Sequence, residues 1–453
     1  MKLSLQELAN AVGGTLHGAN KTITNVSIDS RTVKPSGLYV AIRGERFNGH
    51  AFTEAAIQNG AVACLLEEQP KAKIPYILVK DTRTAFLALA SYYRQQFKQL
   101  HLVGLTGSVG KTTTKEMIWS VLSEQYKTLK TEGNLNNEIG MPKTLLRLTD
   151  EHEAAVIEMG MSDFGEIDRM TRSCLPNLAV ITNIGTSHIE FLGSRDGILQ
   201  AKTEILHGMQ AGSTLLLNGD DDKLWQYKNP DYVLSYFAID NPEAAVRATH
   251  IETKGESTEF DVEYPNGTQH VLLPTVGKHN VYDALAAFSV GLALGLSGAQ
   301  IAAGLSKYQT VGLRQKIETK HGVTVIADCY NASLDSQKAA LQVLKAYPAK
   351  RKIAVLGDML ELGDFSEEAH KAVGAHAAEA HIDLLFCYGK EAKNIAKGAA
   401  DKLKTQVFLD KEALTKALLD TLQAGDAVLF KASRGMKLEE IIENLYKEWE
   451  ENE

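Results

Sequence analysis

The chain has 453 residues, of which 44% are hydrophobic and 23% are charged. These proportions are those of globular proteins, so they exclude a disordered, collagen-like or coiled-coil chain, and the length predicts two to four domains. Lys and Arg total 48 against 56 Asp and Glu, which gives a net charge of −8. This balance, without a long basic run, argues against a nucleic-acid-binding protein that relies on phosphate attraction. A small anionic substrate is still compatible with it, because a few placed cations can bind a phosphate.

Neither the cysteines nor the first residues indicate secretion. Cys64, Cys174, Cys329 and Cys387 lie far apart in the sequence and lack the spacing of a zinc module or a disulfide framework, so we expect four buried reduced thiols. The segment MKLSLQELANAVGG interrupts the apolar stretch that a signal peptide needs. We therefore expect a cytoplasmic protein.

The first 98 residues predict a small α/β domain. A helical start is followed by short apolar runs at 37–42 and 61–66, which Pro and Gly residues separate from the rest of the segment. Short apolar runs bounded by such residues are typical of strands.

Residues 99–312 predict a parallel sheet covered by helices. The apolar runs HLVGL, AAVIE, LAVITNIG and STLLLNGD alternate with turns and helical stretches. Residues 230–275 alternate with a shorter period and favour an antiparallel addition to that sheet. The uncharged stretch 284–305 is long enough to span a bilayer. Its glycines, and the capping box that begins at Ser297, instead predict two short helices with a turn near Gly295.

Residues 313–453 predict a doubly wound, Rossmann-like domain. About five apolar strands alternate with helical stretches, in VTVIADCYNAS, KIAVLGDM, DLLFCYG, TQVFL and DAVLFKAS. The chain ends in an amphipathic helix whose apolar face carries Leu438, Ile441, Ile442 and Leu445. The sequence as a whole predicts an α/β protein of three domains, with a P-loop parallel sheet in the centre.

The strongest functional motif is a phosphate-binding loop. TGSVGKTT runs from Thr106 to Thr113, between the strand HLVGL and the helical run KEMIWSVLSEQ, which is the context that such a loop requires. Backbone N–H groups and the helix dipole would face an anion, Lys111 would add a point charge, and Thr112 would offer a hydroxyl to magnesium. The general motif has a glycine where Leu105 stands, so the loop is a variant. The loop residues expected to bind ATP or another nucleoside triphosphate are Thr106, Gly107, Ser108, Gly110, Lys111, Thr112 and Thr113.

Three more ionisable residues are candidates for this site. Glu158 ends the strand AAVIE and His188 follows another strand end, and ligands of parallel sheets bind at that edge. Glu158 is either a magnesium ligand or an exposed strand-end acid, and His188 is either a ligand or a structural histidine. Lys202 lies in the helical stretch LQAKTEIL, where residue patterns alone predict a surface lysine.

Nine segments follow one another along the chain in this order: TGSVGKTTTKE, EGNLNNEIGMPKTLL, EMGMSDFGEI, TNIGTSHIEFLGS, AKTEI, GKHNVYDALAA, DCYNASLDS, LGDMLELG and LFKASRGMKLE. Together they make the chain resemble the Mur ligases of peptidoglycan synthesis, from Asp29 to its end. LGDMLELG and EGNLNNEIG favour the branch of that family that joins D-alanyl-D-alanine to UDP-N-acetylmuramoyl-tripeptide.

The resemblance implies an ADP-forming ligase that uses ATP and Mg²⁺. It assigns residues 1–98 to binding of the UDP-substrate, 99–312 to ATP and 313–453 to the incoming dipeptide. On this interpretation we expect a cytoplasmic monomer without a membrane span and without a nucleic-acid partner.

The resemblance also assigns roles to individual residues. It implies catalytic roles for Lys111, Lys202 and His188. The expected magnesium ligands are Thr112, Glu158, His188 and, if it is carbamylated, Lys202. Further ATP contacts are expected from Asn280, Arg314 and Asp328. Substrate contacts are expected from Ser30, Arg31, Asn48, His50, Asn136, Asn137, Tyr330, Asn331, Lys431, Ser433 and Arg434.

Three positions depart from the family pattern. Asp283 stands where relatives often have Asn, Leu334 where Pro is common, and Ala327 where an acidic or amide residue is common. These departures concern adenine and dipeptide contacts rather than groups that the reaction needs.

Three other functions stay open at this point. One is a sibling ligase that adds a single amino acid, and another is a folylpolyglutamate synthetase, against which the N-terminal domain argues. The third is a non-catalytic binding protein in which ATP only switches the orientation of the domains. The sequence also leaves open whether the third residue of the tripeptide is lysine or diaminopimelate.

Overall fold

The computed structural model describes residues 1–44 and 47–451 and builds them around three main sheets. The first unit carries a five-stranded sheet in the order β2-β7-β6-β5-β4 and a two-stranded pair of β1 with β3. Its strands are β1 Leu3–Ser4, β2 Thr15–His17, β3 Thr22–Ile23, β4 Asn25–Ser27, β5 Gly37–Val40, β6 Ala61–Leu66 and β7 Tyr76–Leu78. Its helices are α1 Leu5–Ala11, α2 Thr53–Gln58 and α3 Thr82–Arg94, with a 3₁₀ turn at Gly49–Phe52.

The central unit carries a nine-stranded sheet in the order β16-β15-β14-β13-β12-β11-β8-β10-β9. Its strands are β8 His101–Thr106, β9 Thr128–Lys130, β10 Ala154–Glu158, β11 Leu178–Ile181, β12 Thr214–Asn218, β13 Val233–Ala238, β14 Val246–Lys254, β15 Ser257–Tyr264 and β16 Gly267–Leu273. Its helices are α4 Lys111–Leu122, α5 Gly140–Leu145, α6 Glu166–Cys174, α7 Ile189–Leu192, α8 Arg195–Thr203, α9 Asp222–Gln226, α10 Lys278–Ala293 and α11 Gly298–Ser306, with a 3₁₀ turn at Glu204–Gly208.

The pairing in the central sheet confirms the predicted parallel sheet with an antiparallel addition. Strands β8 to β14 pair in parallel, whereas β14, β15 and β16 pair antiparallel. Alternate residues of β8 point into two cores: Val103 packs in the cluster that contains α4 and α10, and Leu102 packs in the cluster that contains α6. Burial on both faces is the reason why these strands have continuous apolar sequences.

The stretch 284–305 forms two helices, as predicted. Helix α10 ends at Ala293, and α11 begins after Ser297, whose hydroxyl accepts from the Gln300 backbone N–H in a capping box. None of the helices in residues 1–44 and 47–451 has the length and apolar character of a bilayer span.

The third unit carries a six-stranded sheet in the order β17-β18-β22-β19-β20-β21, of which the last five strands are parallel. Its strands are β17 Lys316–Lys320, β18 Val323–Ala327, β19 Lys352–Gly357, β20 Leu384–Tyr388, β21 Thr405–Phe408 and β22 Ala427–Lys431. Its helices are α12 Leu334–Ala346, α13 Ser366–Glu379, α14 Lys393–Ala399, α15 Lys411–Thr421 and α16 Glu439–Glu451, with 3₁₀ turns at Gly363–Phe365, Ala400–Lys402 and Arg434–Met436.

The five apolar strands of this unit and the apolar face of its terminal helix are confirmed. Leu438, Ile441, Ile442 and Leu445 are all buried. The sequence prediction missed β17, an antiparallel edge strand with the sequence KIETK, because only one of its five residues is apolar.

Buried side chains join the units. Tyr93 and Arg94 of α3 donate to the backbone oxygens of Leu148 and Cys174 in the central unit, at 2.7 and 3.0 Å. The four cysteines are free and buried, as expected from their spacing.

Candidate active site

The phosphate loop joins the end of β8 to the start of α4 and has the backbone form that its glycines allow. Gly110 has φ +82, and a Cβ there would lie 2.5 Å from Asp283 Oδ1. A Cβ on Gly107 would lie 1.9 Å from Thr182 Oγ1. Any larger residue at either position would therefore push the loop away from its neighbours.

Lys111 folds back over this loop. Its Nζ donates to the carbonyl oxygens of Gly107 at 2.7 Å and Ser108 at 3.3 Å. Burial lowers the pKa of the lysine, Glu158 opposes that shift, and the positive charge of Arg314 adds to it. Two cations from different units thus lie close enough to interact, which suits a polyanionic ligand between them.

Glu158 lies buried at the end of β10, beside the loop. The Thr112 hydroxyl is 3.0 Å from Oε2 and 3.1 Å from Oε1 of the carboxylate, and Asn136 Nδ2 donates to Oε1 at 2.8 Å. The alternative of an exposed strand-end acid is wrong, because Glu158 is only 1% exposed.

The residues around Glu158 fit a magnesium ion that nucleotide phosphates help to hold. Mg²⁺ prefers oxygen ligands and is usually bound by one or two carboxylates together with phosphates and waters. Glu158 and Thr112 offer a carboxylate and a hydroxyl within hydrogen-bond distance of each other. In the part of the chain that the structure describes, no three His, Cys, Asp or Glu side chains form a cluster that would hold a metal by themselves.

A cavity of about 510 Å³, the central cleft, lies between the phosphate loop and the third unit. Fifteen of the residues singled out in the sequence line this cleft, so the fold brings together positions that are up to 323 residues apart in the chain. They are Ser108, Gly110, Lys111, Thr112, Thr113, Asn136, Asn137, Glu158, His188, Asn280, Arg314, Asp328, Tyr330, Asn331 and Lys431. The predicted site residues that do not line it are Ser30, Arg31, Asn48, His50, Thr106, Gly107, Lys202, Ser433 and Arg434.

The third unit closes the cleft with an ordered group of side chains. The Arg314 guanidinium lies over the Tyr330 ring, 3.6 Å from its centroid. The buried Lys431 ammonium pairs with Asp328 Oδ2 at 2.7 Å and donates to the Asn331 carbonyl at 3.1 Å. The Lys431 charge is therefore largely neutralised within the protein. The Arg314 guanidinium instead lines the cleft and lies on the neutral Tyr330 ring.

Two polar residues of α10 line the opposite wall. Asn280 Nδ2 donates to the Val276 carbonyl at 2.7 Å and to Gln315 Oε1 at 3.2 Å. Burial raises the pKa of Asp283 to about 7, and a 2.7 Å hydrogen bond from the Thr114 hydroxyl opposes part of that rise. The family departure at Asp283 therefore places a carboxyl that is readily protonated beside the phosphate loop.

His188 lies where the central and third units meet. It has φ +62, and its Nδ1 is 2.7 Å from Oε2 of Glu361, which itself has φ +61. Glu361 belongs to the segment LGDMLELG, which His370 and Ser433 anchor by accepting from the backbone N–H groups of Met359 and Leu360. Ser433, predicted as a substrate contact, here supports this loop.

The prediction of a surface lysine at 202 is wrong. Lys202 is 2% exposed, and burial together with the neighbouring Lys111 ammonium lowers its pKa well below the ordinary value. A neutral amine is the form of lysine that reacts with carbon dioxide, so this environment is compatible with carbamylation.

The residues predicted to bind the uridine nucleotide are bonded within the first unit. Arg31 pairs with Asp29 at 2.7 Å and its side chain is 84% exposed. The His50 ring contacts Asn48 Oδ1 through Nδ1 at 2.9 Å and accepts the Glu67 backbone N–H at Nε2. Ser30 is buried, and its carbonyl accepts from Asn59. The structure does not bring these residues into the central cleft.

Several residues at the site were not predicted as site residues, although Asp283 was noted as a departure from the family pattern and His279 lies in the quoted segment GKHNVYDALAA. His279, Asp283 and Ser333 line the central cleft, and Glu361 contacts His188. Asp283 lies three residues after Asn280 on α10, so helical spacing from Asn280 would have indicated it. His279 lies four residues before Asp283 and shares a face with it, but not with Asn280. Ser333 and Glu361 lie inside quoted segments but carried no pattern that separated them from turn residues.

Comparisons with known proteins agree with this arrangement. Residues 22–94, 105–291 and 314–434 match the models of the Mur ligase family catalytic domain, the Mur ligase middle domain and the Mur ligase glutamate ligase domain. The UDP-N-acetylmuramoyl-tripeptide–D-alanyl-D-alanine ligase of Bacillus subtilis is 40% identical over 462 residues, with 98% of each chain covered.

Two solved structures are similar along nearly the whole chain. MurF from Acinetobacter baumannii superimposes with a TM-score of 0.94 at 35% identity, with 99% of each chain covered. MurF ligase from Thermotoga maritima in complex with ADP gives a TM-score of 0.87 at 29% identity, over 95% of this chain and 98% of that one. The chain therefore belongs to the Mur ligase family.

Proposed function

We propose that the protein is an ATP-dependent ligase that joins D-alanyl-D-alanine to UDP-N-acetylmuramoyl-tripeptide in peptidoglycan synthesis, releasing ADP and phosphate. The observation that carries this proposal is the central cleft, where a phosphate loop and Glu158 of one unit face Arg314 and Tyr330 of another. The similarity to ligases of that activity at up to 40% identity along the full chain supports the choice of substrates.

The proposed reaction has two steps. The terminal carboxylate of the tripeptide attacks the γ-phosphorus of ATP, and the bond to the β,γ-bridging oxygen breaks, so that an acyl phosphate and ADP form. The amine of D-alanyl-D-alanine then attacks the acyl carbon, loses a proton and expels inorganic phosphate, which leaves an amide. An acyl phosphate is hydrolysed by water, so a cleft closed by two units protects the intermediate.

Lys111 and Arg314 would offset the negative charge on the transferred phosphoryl group. Both are cations of the central cleft, and the interaction that shifts the Lys111 pKa indicates that they act on the same region. Magnesium, when bound at Glu158 and Thr112, would supply further charge neutralisation. We extend this ligand set to His188 and to a carbamylated Lys202. The lowered pKa of Lys202 favours the neutral amine, which is the form that reacts with carbon dioxide.

The three units would divide the substrates between them. Residues 1–98 would bind the UDP-substrate, 99–312 ATP, and 313–453 the dipeptide. Asn280 and Asp328 would contact the nucleotide, whereas Asn136, Asn137, Tyr330, Asn331, Lys431, Ser433 and Arg434 would line the path of the peptide substrates. We also propose that the protein works in the cytoplasm as a monomer, which cell fractionation and light scattering would test.

Product mass and phosphate release test the proposed activity together. The protein is incubated with ATP, Mg²⁺ and UDP-N-acetylmuramoyl-tripeptide, with or without D-alanyl-D-alanine. We expect sustained phosphate release only with both acceptors, and a product heavier by one dipeptide. A gain of one amino acid would indicate a sibling ligase, and phosphate release independent of both acceptors would contradict ligation.

Removal of bicarbonate tests the role of Lys202 separately. If its carbamate helps to hold magnesium, activity in degassed buffer should fall about 10-fold to 100-fold and return when bicarbonate is added. Lys202→Met should be inactive under both conditions. Equal activity with and without bicarbonate would contradict the modification but not the ligation.

A further inference from the structure

Lys115 is a charged side chain sealed inside the central unit, in the segment TGSVGKTTTKE, to which neither the sequence analysis nor the proposed reaction assigns a role. It lies on the second turn of α4, one turn after Lys111, and is 0% exposed. Its Nζ is 3.0 Å from Glu116 Oε1 and 3.8 Å from Glu158 Oε2. Among the described residues, no acceptor meets Nζ with the geometry of a hydrogen bond, so it interacts with both carboxylates through charge.

These contacts are part of a row of alternating charges. Glu116 also pairs with Lys130, whose ammonium is 3.5 Å from the centroid of the Trp119 ring. From the central cleft outward the order is Glu158, Lys115, Glu116 and Lys130. The side chains are 2%, 0%, 8% and 24% exposed, so the row begins in the interior and reaches solvent at its far end.

Packing alone does not explain a lysine at this position. Removing an ammonium from water costs several kcal/mol, and apolar residues of similar volume often replace buried ion pairs without loss of stability. Met117 and Ile118, two and three residues further along the same helix, are fully buried, so apolar side chains pack well beside this position. The group that gains from the Lys115 charge and also faces the cleft is Glu158.

We infer that Lys115 is a positioning residue that holds the Glu158 carboxylate in place for magnesium. Asn136 fixes Oε1 from the cleft side, and Lys115 attracts Oε2 from the interior, so the carboxylate stays beside the Thr112 hydroxyl. Without Lys115, Glu116 and Glu158 would repel each other within the protein. This inference rests on the proposed function through the role of Glu158.

Two variants isolate the contribution of Lys115. Glu116→Gln removes the far carboxylate but keeps Lys115 next to Glu158. Glu116→Gln combined with Lys115→Met removes the lysine as well, and leaves no unpaired carboxylate at 116 that would disturb folding. Lys115→Gln in the same background repeats the measurement with a polar side chain of similar length.

The readout is metal binding rather than turnover. Mn²⁺ is titrated into the full-length protein with saturating ADP, and free Mn²⁺ is followed by its electron paramagnetic resonance signal. We expect Glu116→Gln to bind Mn²⁺ within about threefold of the wild type, and the variants without Lys115 to bind it about 10-fold to 100-fold more weakly. ADP affinity in EDTA should be unchanged, because the phosphate loop and Lys111 are intact.

Two results would overturn the inference. The first is equal Mn²⁺ affinity with and without Lys115. The second is a parallel loss of ADP affinity in EDTA, which would assign Lys115 to the folding of the whole site. If the wild type with ADP failed to bind Mn²⁺, the proposed metal site would fail as well, so the failures of the two proposals are distinguishable.

Discussion

The central cleft and the first unit hold two groups of residues that one resemblance assigned to ligands, yet their contacts differ. In the cleft, side chains from two units face a shared space, and Lys111 lies close enough to Arg314 for their charges to interact. In the first unit, Arg31 and His50 are bonded to their own neighbours. The cleft is thus arranged for a ligand in advance, whereas binding of a ligand by Arg31 and His50 would require their internal bonds to be exchanged for bonds to that ligand.

The largest effect should come from Lys111→Ala, which removes the central cation of the cleft. The loss of one aligned charge at a developing oxyanion should lower kcat about 10²-fold to 10³-fold. Product formation followed by mass spectrometry measures it, with the exposed Lys98→Ala as the control. Near-normal ligation by Lys111→Ala would break the view that the cleft is arranged for phosphoryl transfer.

Asp283→Asn tests whether the cleft is dry in solution. The folded-state pKa of about 7 lies above the ordinary value of 3.8, so between these values the folded protein keeps a proton that the unfolded chain loses. Stability should therefore fall as the pH rises through this window, by about 1.4 kcal/mol per pH unit at most. From pH 5 to 7 the wild type should lose about 2 to 3 kcal/mol relative to Asp283→Asn.

Urea denaturation at pH 5, 6 and 7 measures this difference. Asp196→Asn, at an exposed carboxyl of α8, is the matched control. Its free energy of unfolding should differ from that of the wild type by the same amount at all three pH values. If the free energy of unfolding of Asp283→Asn also differed from that of the wild type by a pH-independent amount, water would reach Asp283 and the cleft would not be closed in solution.

Arg31→Ala tests whether the first unit binds the UDP-substrate independently of the central cleft. Arg31 is exposed and its guanidinium can pair with a phosphate in two-pronged geometry, so its loss should raise KM for the UDP-substrate about 10-fold. KM for ATP and the thermal midpoint should not change, because the Arg31–Asp29 pair lies in solvent. Steady-state kinetics with each substrate varied in turn measures this, with Lys34→Ala as the control. A change in KM for ATP would show that the two regions are not independent.

The smallest effect is expected from Tyr330. Its ring supports the Arg314 guanidinium from a distance of 3.6 Å, and a cation–π contact contributes about 0.5 to 1 kcal/mol. Tyr330→Leu should therefore raise KM for ATP about twofold to fivefold, whereas Tyr330→Phe, which keeps the ring, should leave it unchanged. If the Phe variant lost as much affinity as the Leu variant, the hydroxyl rather than the stacking would be important.

The parts of the fold that sequence predicted are those whose local pattern agrees with their burial. Four of the five predicted strands of the third sheet, β18, β19, β20 and β22, are apolar because both faces are covered. The break between α10 and α11 follows from Gly295 and the Ser297 cap. β17 was missed because an edge strand can be polar. The order of the nine central strands was not predicted, since pairing between distant segments leaves no local pattern.

The candidate site was predictable to a similar extent. The phosphate loop and Glu158 were found from spacing and from the strand ends. The burial of Lys115 and Lys202 was not, because a lysine inside a helix gives the same local pattern whether it faces solvent or the sheet. His188 was recognised without its partner, since Glu361 lies 173 residues later on a loop of another unit.

The two carbonyl oxygens that accept from Lys111 Nζ, those of Gly107 and Ser108, bear on how fast the protein can exchange nucleotides. When ADP dissociates, the Lys111 ammonium can donate to these two carbonyl oxygens of its own loop. It is therefore not left buried without a hydrogen-bond partner. These hydrogen bonds lower the free energy of the nucleotide-free loop, so the nucleotide-free and nucleotide-bound forms differ less in free energy. A protein with this arrangement is suited to repeated turnover rather than to long retention of ADP.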